Sequence, residues 1–199
     1  VIEVGLGGRL DSTNVITPFV PVIKNISFDH VALLGDTLEK IAGEKAGIIK
    51  DNVPVVIGET TTETKKVFLE KAKKHNAAIV FAEEVYEATN LHHVYADTLY
   101  LAMDIEKNGK LLFDNLQCEL PGLYQRKNSA TAIAAIEILN QLGFSLTETI
   151  IRDGIKNVMR NTGLRGRWQV IAEKPLTIAD TGHNEAGIKE VLKQIELTP

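Results

Sequence analysis

Glu3 and His30 each close a run of strand-forming residues, Val1-Ile2-Glu3-Val4 and Val20 to Ser27. In an open α/β sheet, ligand chemistry gathers at the carboxyl ends of strands. A glutamate placed there can hold magnesium, a hard cation that prefers oxygen. The plainer alternative is a capped strand end and a surface histidine. Lys45 lies late in a short helical pattern among Glu44, Ala46 and Gly47. By position alone it is a helix C-terminal lysine favoured by the macrodipole. Asp180-Thr181-Gly182-His183-Asn184 follows an apolar strand and precedes a helical stretch. Polar groups clustered at such a point are binding candidates; the alternative is a turn with an N-cap.

Other segments carry less. Gly5-Leu6-Gly7-Gly8 suggests a dinucleotide loop, but Leu10 stands where a third glycine is required. No Gly-x-x-x-x-Gly-Lys-Ser/Thr phosphate loop is present, and Gly58-Glu59-Thr60 lacks the lysine. His75 is expected at a helix end, and His92 and His93 in a polar loop, all three solvated. Cys118 reads as a small apolar residue in a strand.

The elements that would position these residues read as α/β. Asp36 is expected to cap a helix with Leu38, Ile41 and Ala42 inward. Pro54 to Gly58, Thr62 to His75 and Ala77 to Phe81 form a strand–helix–strand unit, which requires parallel strands. Leu99 to Met103 and Lys110 to Phe113 flank Asn108-Gly109, a type I′ hairpin signal, and Gln117 to Leu120 adds a further strand. Helices are expected from about Asn128 to Leu142 and from near Thr147 to near Met159. Arg160 to Gly166 reads as a linker. Two strands (Trp168 to Ile171, Leu176 to Asp180) and a helix from Glu185 to Leu197 follow. The expected fold is a mostly parallel sheet with flanking helices, then the start of a Rossmann-like domain. Expected boundaries are residues 1–160 and 161–199.

Composition bounds the partners. The 199 residues carry 22 Lys+Arg against 26 Asp+Glu, a net charge of −4, which does not favour a nucleic-acid partner. One cysteine excludes an intrachain disulfide framework and suits a reducing compartment, the cytoplasm. No apolar run approaches the roughly 20 residues of a membrane span. A monomer is the expected state. The chain opens without Met and in strand-like sequence, so a piece of a longer protein is expected.

Five segments together resemble the folylpolyglutamate synthase/dihydrofolate synthase family, a branch of the Mur ligases. They are Glu3 to Asn14 (EVGLGGRLDSTN); Asp29-His30 with Leu34 to Leu38 and Ile41 to Lys50; Leu120 to Ala130; Gly166-Arg167-Trp168; and Asp180 to Asn184. The resemblance implies an ATP-dependent ligase adding L-glutamate to folates or to dihydropteroate through an acyl phosphate. It implies ATP and Mg2+ as cofactors, with Glu3, His30 and a carbamylated Lys45 as metal ligands and catalytic residues. Asp11 would contact the pterin; Asn128, Arg167, Asp180 and His183 would contact ATP. Tyr124 and Arg165 depart from the family, which often has His and Pro there. The runner-up functions are a muropeptide ligase of the same superfamily and a catalytically inactive fragment. Without the phosphate loop, the 199 residues alone are expected not to turn over ATP.

Overall fold

The computed structural model describes residues 1–197. They form two compact units, Val1–Val85 with Thr131–Phe144, and Tyr86–Ala130 with the chain from Ser145 onward.

In the first unit, β1 (Val22–Ile23) is followed by α1 (Val31–Leu34) and α2 (Leu38–Lys45). Next come β2 (Val55–Ile57), α3 (Thr62–Lys74), β3 (Ile79–Phe81) and α4 (Ala82–Val85). The three strands form a parallel sheet in the order β1-β2-β3, with Val22 opposite Val56 and Ile57 opposite Phe81. Every residue of β2 is buried, as a central parallel strand covered on both faces must be. Ile41 and Ala42 of α2, and Phe68 and Ala72 of α3, face inward. Ile23, Ala42, Ala46, Ile49, Val55, Ile57, Phe68 and Phe81 pack as one apolar cluster.

In the second unit, β4 (Tyr86–Tyr95), β5 (Leu99–Lys107) and β6 (Lys110–Cys118) make an antiparallel sheet. Asn108 and Gly109 turn between β5 and β6 at φ 50° and 71°, the conformation a type I′ turn demands. The helix α5 (Gln125–Gln141) starts here, and its residues from Thr131 belong to the first unit. Then come α6 (Glu148–Lys156), α7 (Val158–Thr162), the antiparallel pair β7 (Gln169–Glu173) and β8 (Leu176–Ala179), and α8 (Glu185–Glu196). No helix among the described residues is long and apolar enough to cross a membrane.

The parallel sheet with flanking helices is the expected one, and the other five strands are antiparallel. Val1–Val4 is not a strand: among the described residues no strand pairs with it, and Val1 and Ile2 are exposed. Glu3 therefore does not close a strand. β1 ends at Ile23, and His30 instead sits at the N-cap of α1 in the left-handed conformation (φ 48°, ψ 40°). Thr37, not Asp36, caps α2 through its hydroxyl, while Asp36 pairs with Lys40. Gln117 and Cys118 continue β6 rather than starting a new strand. The expected linker is helical to Thr162, and Gly163 at φ 71° ends it. His92 and His93 lie in β4, not in a loop.

Candidate active site

Within the first unit, the Gly-rich segment docks on the end of α2. The Arg9 amide donates to the Glu44 carbonyl at 2.8 Å, and its guanidinium pairs with the Glu44 carboxylate at 3.0 Å. Asn14 Nδ2 donates to the carbonyls of Arg9 (3.1 Å) and Gly47 (3.2 Å), and Lys50 Nζ donates to the Asn14 carbonyl at 2.8 Å. The approach requires glycine: a Cβ on Gly47 would stand 2.4 Å from Arg9 Cα. A Cβ on Gly8 would stand 3.0 Å from the Lys45 carbonyl. Two segments 33 residues apart thus meet at the backbone of Lys45.

Asp11 shapes this loop from inside. Its Oδ2 accepts the Leu6 amide at 3.0 Å; its Oδ1 accepts the Thr13 amide at 2.9 Å and the Thr13 hydroxyl at 2.6 Å. These donors, the Thr13 hydroxyl first, hold its carboxyl down at about 2.

Lys45 is the last residue of α2 and half-buried. Among the described residues its ammonium has no hydrogen bond or ion pair, and neither has the exposed Glu3 carboxylate. His30 Nε2 lies 3.6 Å from Asp29 Oδ1. No hydrogen bond or ion pair among the described residues joins Glu3, His30 and Lys45, and no three His, Cys, Asp or Glu side chains gather to hold a metal ion. Glu3 and His30 would supply two donor atoms to such an ion. A third would be a carbamate on Lys45, and an amine without a partner is what carbamate formation needs.

Within the second unit, the two C-terminal motifs meet. The Thr181 amide donates to the Gly166 carbonyl at 2.9 Å, and the Trp168 amide donates to Asp180 Oδ2 at 2.8 Å. Gly166 has φ 70°, and a Cβ there would strike Thr181 Cγ2 at 2.6 Å. Trp168, buried, also sits at positive φ, 54°. Asp180 Oδ1 accepts the Gly182 amide at 2.8 Å. Arg167, between Gly166 and Trp168, is half-buried. His183 is exposed, its Nδ1 3.1 Å from the Thr181 carbonyl. Asn128, in the first turn of α5, donates to Gln125 Oε1 at 2.7 Å.

Three residues here were not singled out as site residues from the sequence. Tyr124 donates its hydroxyl proton to Asp180 Oδ2 at 2.6 Å, and burial, with Asp180 beside it, drives the phenol far above its ordinary range. Gln194, 2% exposed, accepts the Leu123 amide at 2.5 Å and donates to the Pro121 carbonyl at 3.4 Å. His93 Nε2 lies 2.8 Å from that same carbonyl, so it carries the proton. Only Tyr124 had a signal, as a departure from the family pattern.

The Mur ligase middle domain matches residues 1–136. The chain is 32% identical to the dihydrofolate synthase/folylpolyglutamate synthase of Bacillus subtilis, over 98% of this chain and 44% of that protein. It is 33% identical to the Escherichia coli enzyme of the same name, over 100% of this chain and 42% of that protein. A solved FPGS–AMPPCP–folate complex aligns with all of this chain and 48% of its own at TM-score 0.88 and 32% identity. The chain spans less than half the length of the curated relatives it matches. By sequence and by fold, the chain belongs to the Mur ligases, whose middle domain it matches, and it is similar to the dihydrofolate synthases/folylpolyglutamate synthases among them.

Proposed function

We propose that these residues serve an ATP-dependent ligase of folate metabolism, which joins L-glutamate to a folate or to dihydropteroate. The observation that carries this reading is the pairing of motifs within each unit. The Gly5–Asn14 segment is stitched to the helix end bearing Lys45, and Gly166–Trp168 is stitched to Asp180–Gly182. The fold shared with an FPGS–AMPPCP–folate complex supports it.

In the proposed reaction a carboxylate oxygen of the substrate attacks the γ-phosphorus of ATP, and ADP leaves. The glutamate amine then attacks the acyl carbon, a proton is lost, and phosphate leaves with its bonding pair. Asn128, Arg167, Asp180 and His183 would contact ATP, with Arg167 meeting phosphate charge, and Asp11 would lie beside the pterin. Glu3, His30 and carbamylated Lys45 would hold Mg2+, which when bound offsets charge on the transferring phosphoryl group. The Lys45 ammonium would first lose one proton; its neutral amine would then add CO2 and lose a second, turning a cation into an anionic oxygen ligand. Residues 1–160 would be the later part of the ATP-binding middle domain, and 161–199 the linker and start of the next. A cytoplasmic monomer acting on small molecules, without a nucleic-acid partner, completes the proposal; the single, buried Cys118 agrees with a reducing compartment.

The test is glutamate-dependent phosphate release by the longer protein that contains these residues, with dihydropteroate or tetrahydrofolate. Release with either supports the proposal. Release with a muropeptide and with neither pterin compound refutes it. Alanine at Glu3, His30 or Lys45 should lower the rate far more than alanine at His75, whose Nδ1 pairs with Asp51 at 2.6 Å.

A further inference from the structure

The segment Pro121–Gln125 leads into α5, and three elements of the second unit grip it. From β4, His93 Nε2 donates to the Pro121 carbonyl; from α8, Gln194 holds both Pro121 and Leu123. The third grip is Tyr124 on Asp180. Asp180 is the hub of the C-terminal motifs. A carboxylate offers about four acceptor sites, and three are filled here by Trp168 N, Gly182 N and the Tyr124 hydroxyl. The two amides belong to the backbone that Asp180 itself shapes. Tyr124 is the one side-chain donor among the three, and it brings in a distant part of the chain.

We propose that Tyr124 is a positioning residue for nucleotide binding: its hydroxyl fixes the Asp180 carboxylate and ties the Gly166–Trp168 and Asp180–Gly182 turns to the start of α5, where Asn128 lies. With the phenol held far above its ordinary range, Tyr124 remains a donor at every physiological pH. Charge-assisted bonds of this kind are roughly twice as strong as neutral ones. One acceptor site on Asp180 Oδ1 stays open for a ligand hydroxyl, and Tyr124 settles where that site points. The nucleotide part of this inference rests on the proposed ligase; the mechanical part does not.

The experiment is Tyr124→Phe, which deletes one oxygen and keeps the ring. In the longer ligase, KM for ATP should rise about 5- to 10-fold, the scale of one lost hydrogen bond to a charged group after partial compensation. KM for the folate and the thermal midpoint should stay nearly constant. In the 199-residue chain, amide exchange at Trp168 and Gly182 should accelerate several-fold. An unchanged KM for ATP with unchanged exchange overturns the proposal. A parallel rise in both KM values with a lowered midpoint also overturns it, because that is loss of structure. If no folate-dependent turnover exists at all, the ligase reading fails while the exchange result still decides the Tyr124–Asp180 linkage. Should the variant not fold, the unsubstituted chain decides: the Tyr124 hydroxyl proton must appear as a slowly exchanging resonance, and its absence refutes the bond.

Discussion

The two motif clusters of this chain solve opposite problems. In the first unit the backbone is stitched tightly and the reactive group is left alone: Gly8, Gly47, Arg9 and Asn14 lock the loop to the helix end, while the Lys45 ammonium has no partner among the described residues. In the second unit the functional candidate is itself the knot, because Asp180 accepts three hydrogen bonds. The contrast matches the chemistry proposed. A lysine that must react with CO2 cannot be tied up in an ion pair, whereas a carboxylate that must orient a ligand gains from fixed donors.

The largest effect should come from the free group. Lys45→Arg keeps the charge and the helix-end position but cannot form a carbamate. We expect kcat of the longer ligase to fall about 10²–10³-fold, the cost of losing one charge-stabilising group, with the unfolding free energy changed by less than about 0.5 kcal/mol. An active Arg variant would show that the lysine acts as a cation. The next effect falls on the stitching. Gly47→Ala drives a methyl to 2.4 Å from Arg9 Cα, and urea unfolding should report a loss of about 3 kcal/mol, the upper range for overpacking. In the other unit, Gln194→Ala leaves the half-buried Leu123 amide without its acceptor and should cost about 1–2 kcal/mol in the same assay.

The smallest effect is a pH dependence. Asp11 titrates at about 2 in the folded chain against an ordinary 3.8. Its hydrogen bonds therefore contribute fully above the unfolded value, and the contribution is lost as pH falls from about 4 toward 2. Asp11→Asn should flatten this part of the stability profile in acid titrations followed by circular dichroism. An unchanged profile would mean that other carboxylates dominate there.

Much of this was legible in sequence because it is local. The strand–helix–strand period, the Asn108-Gly109 turn and the glycine stop at Gly143 after α5 each depend on a few neighbours. β4 was hidden because Asn90 at φ 50° and a register shift between Thr89 and His92 break its alternation. The apparent strand at Val1–Val4 has suitable residues but no partner among the described residues, and a strand exists only by pairing. Gln194 was illegible for a different reason. On α8 the apolar Ile188, Leu192 and Ile195 are exposed while the glutamine is buried, an inversion dictated by Pro121 and Leu123 more than 70 residues away. The resemblance supplied Lys45, whose position alone says only helix end.

The proposed ligase stands or falls on the acyl phosphate. The direct measurement uses a folate or dihydropteroate whose reacting carboxylate carries ¹⁸O at both oxygens, turned over by the longer protein with ATP and glutamate. Attack of that carboxylate on the γ-phosphorus predicts one ¹⁸O in each phosphate released, read by mass spectrometry or by the ³¹P isotope shift. Phosphate free of label, formed together with the amide, would contradict the account.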